Sequence, residues 1–319
     1  MTVTRNDVAR KAGVSPGLVS YVLNGGPRPV SDHARARIEA AIEELGYRRD
    51  GVARYLKTGK TDSIGLVLPE IGLPYFAEVT RELNACAFEH GHQLLIATSE
   101  FDLAREETHL ESLAERRVDG IILMSIDPDR DMSLLEQLGT PVVVVDRPEF
   151  AVESARAATE HLIADGHKRV GFVGTGPISA SRRRLNGWSI AYDDSGLEHN
   201  AGWVVTAPPT RAGGYLAARQ AMGGKDRASA FVVESDAQAS GFIRAIKDLG
   251  LRIPEDVALV SLEGTDLGQF SVPSLTSVVQ PVHDIAQDAI RTVLLKDAGP
   301  VRRVNNVGFE LALRESCGH

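Results

Sequence analysis

Two periods of apolar residues divide the chain. Over residues 4–46 they recur at helical spacing, as Val8, Ala9 and Ala12, then Val19, Val22 and Leu23, then Ile38, Ala41, Ile42 and Leu45. The polar residues between them punctuate three short helices. Thr4-x-x-Asp7 has the spacing of a capping box with Asp in place of Glu, and Gly13 stops the first helix. Ser15 then stands at an N-cap position with Pro16 at the first helical position, where a missing N–H costs nothing. The second helix ends near Asn24-Gly25-Gly26, Ser31 caps the third and Gly46 ends it.

From residue 61 the pattern changes to short apolar runs alternating with amphipathic helices. The runs are SIGLVLP (63–69), QLLIATS (93–99), VDGIILMS (118–125), PVVVVD (141–146), RVGFVG (169–174), GWVVTA (202–207), ASAFVVES (228–235) and VALVSLEG (257–264). Between them lie segments such as 282–295, where Val282, Ile285, Ala286, Ala289, Ile290 and Val293 keep one face apolar. Strands apolar on both faces, each followed by a helix, predict an α/β fold with a parallel sheet covered on both sides. Eight such units exceed one small sheet, leaving two doubly wound lobes or a barrel. In open lobes a ligand sits beyond the carboxyl ends of the strands.

Charge sharpens the division. Residues 1–60 contain 11 Lys and Arg against 6 Asp and Glu, a balance of +5, while residues 61–319 carry −13. A basic head on an acidic body suits a head that meets a polyanion. The stretch 47–61 adds Arg48, Arg49, Arg54, Lys57 and Lys60 against one acid, Asp50, and reads as a basic linker with weak helical tendency. No run of eighteen apolar residues occurs, so no membrane partner is expected, and the start lacks a secretory signal, which predicts the cytoplasm. Cys86 and Cys317, the only cysteines, make no disulfide framework and no C-x-x-C, and read as structural thiols.

Candidate chemistry begins with Gly13-Val14-Ser15-Pro16-Gly17, which satisfies the G-x-S-x-G of a hydrolase nucleophile. That role needs a strand before the serine, and a helix precedes it here, so Ser15 reads as a cap and no catalytic residue is assigned. None of the nine histidines shows H-E-x-x-H spacing, and GFVGTG lacks the order of a dinucleotide fingerprint, so neither metal nor cofactor is expected. Two short helices joined by a Gly-containing turn and followed by a third form a helix-turn-helix, whose second helix enters the major groove N-terminus first. A bundle that binds protein is the other reading of such a trio, and the adjacent basic linker disfavours it.

The stretches TRNDVARKAGVSPGLVSYVLNG and VSDHARARIEAAIEELGYRRDGVARYLKTGKTDSIGLVLPEI together resemble the lactose/galactose-repressor (LacI/GalR) family of bacterial transcription factors. ERRVDGIILMS, PVVVVDRP, ATEHLIADGHKRVGFVG, RRLNGW, ESDAQASGFIRAIKDLGLRIPEDVALVS and PSLTSVVQP resemble it in the same order. The resemblance implies a helix-turn-helix head (1–46), a hinge (47–60) and a two-lobed core (61–319) similar to periplasmic sugar-binding proteins. It also implies a cytoplasmic homodimeric regulator, a repressor, that binds a pseudo-palindromic operator DNA and answers to a small-molecule effector between its lobes. One lobe is expected to take residues 61 to about 166 plus the segment after Pro281.

Site residues follow by position. Pro16, Gly17 and Tyr21 match base-reading positions; Thr4, Ser20 and Asn24 match phosphate contacts, beside Ser15 at the helix start. Leu56 matches a minor-groove wedge flanked by Arg54 and Lys57, and Arg28 lies in a loop one residue longer than usual. Tyr75, Arg184, Asp236 and Glu263 match effector positions. Several departures blur the ligand: Leu73 replaces a common asparagine, Pro209 an aromatic, Glu263-Gly264 an Asp-Asp pair and Phe150-Ala151 an Asp-Asn pair, in a segment about ten residues short of the family norm. Control by a protein partner, absence of an effector, and a sugar-binding protein without DNA function are the alternatives.

Overall fold

The computed structural model describes residues 3–24, 29–48, 55, 59–125, 127, 131–145, 148–176, 179–295, 299–304 and 308–319. Its contacts fall into two units, Met1–Thr61 and Asp62–His319. The first contains α1 (Arg5–Ala12), α2 (Pro16–Asn24) and α3 (Asp32–Leu45). Their apolar stripes meet in one small core of Val8, Ala9, Ala12, Val19, Ile38 and Ala41, with Leu18, Val22, Leu23, Ile42 and Leu45 packed against it. A core of this size cannot tolerate unpaired helix ends, and polar contacts satisfy them. Asp7 accepts from the Thr4 backbone N–H at 3.0 Å and from the Thr4 hydroxyl at 2.6 Å, so the acid rather than the threonine does the capping. Gly13 turns the chain in the left-handed region at φ 62°, and the Arg37 guanidinium of α3 donates to the freed carbonyls of Ala12 and Gly13.

The second unit holds two sheets. The first, in the order β10-β4-β3-β1-β2, comprises β1 (Ser63–Leu68), β2 (Gln93–Thr98), β3 (Gly120–Leu123), β4 (Val142–Val144) and β10 (Val301–Arg303), all parallel. Its helices are α4 (Pro74–Glu89), α5 (Leu103–Glu115), α6 (Ser133–Glu136) and α12 (Val282–Val293). The second sheet, in the order β11-β9-β8-β7-β5-β6, comprises β5 (Val170–Gly174), β6 (Val204–Thr206), β7 (Ala230–Val233), β8 (Ala258–Ser261), β9 (Thr276–Val279) and β11 (Glu310–Ala312). Only the β9–β11 pair is antiparallel. Around it pack α7 (Pro148–Ala164), α8 (Ser179–Ser195), α9 (Arg211–Met222), α10 (Asp236–Asp248) and α11 (Asp266–Gln269). β7 is buried along its length and β1 from Ile64 onward, as covering on both faces requires, whereas the edge strand β2 departs from that expectation and leaves Leu95 and Ile96 exposed.

The two crossovers differ from the expected partition. α7 belongs to the second lobe, because Ala155, Ala158 and Leu162 lie in that lobe's core with Trp188 and Tyr192 of α8. The first crossover therefore precedes residue 148, not 166. The chain after Pro281 is also divided: α12 packs Ala286, Ala289, Ile290 and Val293 against Val79 and Leu83 of α4, and β11 then returns to the second sheet. Phe150 and Ala151 turn inward, Phe150 meeting Phe309 edge-on at 5.6 Å.

Helices α9 and α10 approach so closely that glycine is required between them. A Cβ on Gly241 would lie 1.8 Å from the Arg211 carbonyl oxygen, and one on Gly214 1.9 Å from that of Gln238. Neither neighbour can yield, since both are helix backbone. Gly241→Ala is expected to cost about 1–3 kcal/mol through overpacking, read as a lower denaturation midpoint in urea; an unchanged midpoint would mean that the helices separate freely.

Candidate nucleic-acid interface and ligand cleft

In the first unit, the start of α2 is the exposed polar end. Ser15 accepts from the Leu18 N–H at 3.2 Å, and Ser15, Pro16 and Gly17 are all exposed. The hydroxyl thus satisfies one donor of the first turn, while the helix dipole leaves partial positive charge there for a phosphate. Leu18 and Val19 anchor the opposite face in the core, so the exposed face is fixed in orientation. Ser20 and Tyr21 follow half-buried, and Thr4 stands exposed at the start of α1. Asn24 ends α2. Arg28, Arg54, Leu56 and Lys57, with most of the hinge, lie outside the described residues.

In the second unit, three of the four expected effector residues converge at the carboxyl ends of the second sheet. Asp236 opens α10 after β7, Glu263 follows β8 and Arg184 reaches in from α8. Sequence reasoning missed their companion Glu234, a buried carboxylate that accepts from the Thr175 N–H and lies 3.5 Å from an Arg184 Nη. The side chains of Arg184 and Glu234 are 20% and 1% exposed, so the arginine is neutralised from beneath. Arg184 Nε is buried without a hydrogen-bond partner.

Asp236 is engaged within the protein. Its carboxylate accepts from the Thr265 N–H at 2.6 Å, from the Thr265 hydroxyl at 2.5 Å and from the Ser261 hydroxyl, and it is 1% exposed. Three donors hold the carboxylate in place and leave it about one further acceptor site. Its backbone N–H donates to Glu263 Oε2 at 3.0 Å. Burial, then the Asp236 charge, pushes the Glu263 carboxyl up to about 8, so near neutral pH it is an acid that can donate. Tyr75 belongs to the other lobe, on α4, with its ring edge-on to Phe76 at 5.6 Å. The lobes meet nearby, where Glu78 of α4 accepts from the Asp266 N–H at 2.9 Å. A groove of about 870 Å³ beside this contact is lined by Glu78, Arg81, Arg244, Asp266 and Phe270 and includes none of the four expected residues.

Comparison with known proteins decides what carries this geometry. Residues 4–50 match the model of bacterial regulatory proteins of the lacI family, and residues 159–317 match a periplasmic binding protein-like domain. The HTH-type transcriptional repressor PurR of Photobacterium profundum is 32% identical, with 98% of each chain covered. The chain belongs to the lacI family of bacterial regulatory proteins. The ribose operon repressor of Escherichia coli is 33% identical, with 93% of this chain and 94% of that one covered. In fold, the lac repressor dimer bound to operator superposes with a TM-score of 0.87 over 99% of both chains at 24% identity. The regulator CelR in complex with cellobiose gives 0.70 at 28% identity over 98% of this chain and 99% of that one.

This lacI-family member is therefore a DNA-binding transcriptional regulator, and relatives named as transcriptional repressors match it along nearly their whole length. Among the described residues no helix is long and apolar enough to cross a membrane.

Glu263 makes a measurable pH signature. A carboxyl raised in the folded state binds its proton there between its ordinary value of 4.5 and about 8, so folding is progressively penalised as pH rises through that window. Relative to Glu263→Gln, the native protein should lose thermal stability between pH 5 and 8 and lose no more above it. Parallel melting curves across that range would remove the buried acid from the cleft.

Proposed function

We propose that the head, residues 1–46, reads operator DNA through the N-terminal turn of α2, with residues 47–60 as a hinge and residues 61–319 as the effector-binding and dimerisation core. The observation that carries this reading is the capped, exposed start of α2 on a basic unit that matches the lacI family. Pro16 and Gly17 offer no side-chain hydrogen bonds, so base reading in the first turn is thin and Tyr21 carries most of it. Thr4, Ser15, Ser20 and Asn24 hold phosphates, with Arg28 at the following loop. In the hinge, Leu56 wedges the minor groove while Arg54 and Lys57 meet the backbone. The protein acts in the cytoplasm, and Ser15 serves as a cap with no catalytic role.

In the cleft, Arg184 and Glu263 face the effector while Glu234 and Asp236 fix their positions. The Arg184–Glu234 pair cancels, and a protonated Glu263 donates rather than repels, so an uncharged ligand rich in hydroxyls fits better than an anion. The cellobiose held by CelR is of that chemistry.

Selection of genomic fragments by the purified protein at near-physiological salt tests the reading. A pseudo-palindrome with half-sites about one helical turn apart is expected. On that site Tyr21→Ala should bind roughly tenfold more weakly, with random duplex affected little. Enrichment of no motif, or equal losses on both DNAs, would contradict the assignment.

A further inference from the structure

The second lobe gathers four metal-ligating side chains far from the cleft. His161 and Asp165 are four residues apart at the end of α7, hence on one face, and Cys317 and His319 come from the segment after β11. His161 Nε2 lies 3.2 Å from Cys317 Sγ and 3.3 Å from an Asp165 carboxylate oxygen. His319 Nε2 lies 3.3 Å from that same oxygen, and the two imidazole rings are 5.5 Å apart. All four ligand atoms fall within 4.8 Å of one another.

Ligands bound about 2.0–2.3 Å from a tetrahedral zinc stand roughly 3.3–3.8 Å apart. The three measured separations are therefore nearly those of a zinc site, reached without an ion. We propose that His161, Asp165, Cys317 and His319 form a zinc site that fastens the segment after β11 to the end of α7. The donor set of two imidazoles, a thiolate and a carboxylate suits this borderline-soft ion better than calcium or magnesium, which take oxygen. A second shell is in place: the Thr276 hydroxyl lies 2.9 Å from Cys317 Sγ, and orients it from β9. Access is provided by His319, whose side chain is 43% exposed, while the Cys317 side is buried. Binding exchanges the thiol proton for a zinc–sulfur bond and releases that proton to solvent.

The site's place in the lobe says what it does. Asp165 lies just ahead of the amino end of β5, whereas the cleft residues sit beyond the carboxyl ends of the strands. Zinc would thus stabilise the lobe as a staple between elements over 150 residues apart in sequence. Local motif spacing could not reveal it, because the ligands come in two separate pairs.

The full-length protein, stripped with a chelator, should be titrated with zinc against a chromophoric competitor and, separately, with cobalt. One ion per chain is expected, with a rise in melting temperature and a thiolate-to-cobalt charge-transfer band. His319→Ala, a change at an exposed residue that should leave the fold intact, should weaken zinc binding about tenfold or more. Cys317→Ser should abolish the cobalt band. Absence of stoichiometric binding would overturn the proposal. So would zinc affinity unchanged in His319→Ala, which would assign the ion to another cluster such as Asp62, His92 and Asp119.

Discussion

Helical crossovers between parallel strands cover both faces of a sheet and make each connecting helix begin beyond the strands' carboxyl ends, at one shared edge. In the second lobe that edge collects Thr175, Glu234, Asp236 and Glu263, with Arg184 3.5 Å from Glu234. Loops at this edge are free to vary because the strands beneath them are held by backbone ladders and apolar burial. Polar groups placed there are nonetheless costly, and each carboxylate is stabilised differently. Asp236 takes three donors, Glu234 a backbone N–H and the guanidinium, and Glu263 keeps its proton. The cleft is thus a preorganised hydrogen-bonding surface with little net charge.

The head solves a different problem with similar means. Its core is too small to position helices by burial alone, so capping by Asp7 and Ser15 and the clasp of Arg37 on the end of α1 set the turn between α1 and α2, and Ser31 caps α3. The G-x-S-x-G pattern coincides with that arrangement: glycine stops one helix and serine starts the next.

Helices with marked periods and caps, and strands that are continuous apolar runs, were legible in the sequence because burial and capping write themselves locally. All eight apolar runs contain a strand. The strands that escaped are β9, half polar as Thr276-Ser277-Val278-Val279, and the three-residue edges β10 and β11, whose pairing depends on distant partners. The lobe assignment of α7 was equally invisible, since its alanine-rich face fits either neighbour and only packing against Trp188 and Tyr192 decides. In the cleft, position in the sequence brought out Arg184, Asp236 and Glu263, but not the bonds they make. Glu234 is the reason: a buried acid one residue before Ser235 changes what the arginine can offer, and nothing local announces that it points inward.

Head and core share one chain but meet different ligands, and regulation requires that each ligand's free energy depend on the other. That coupling is the centre of this account. The most direct measurement is the equilibrium affinity of an operator-modulating metabolite fraction for the protein, with and without saturating operator. The expected result is that operator changes ligand affinity by the same factor by which the ligand changes operator affinity. Equal ligand affinity with and without operator would contradict it.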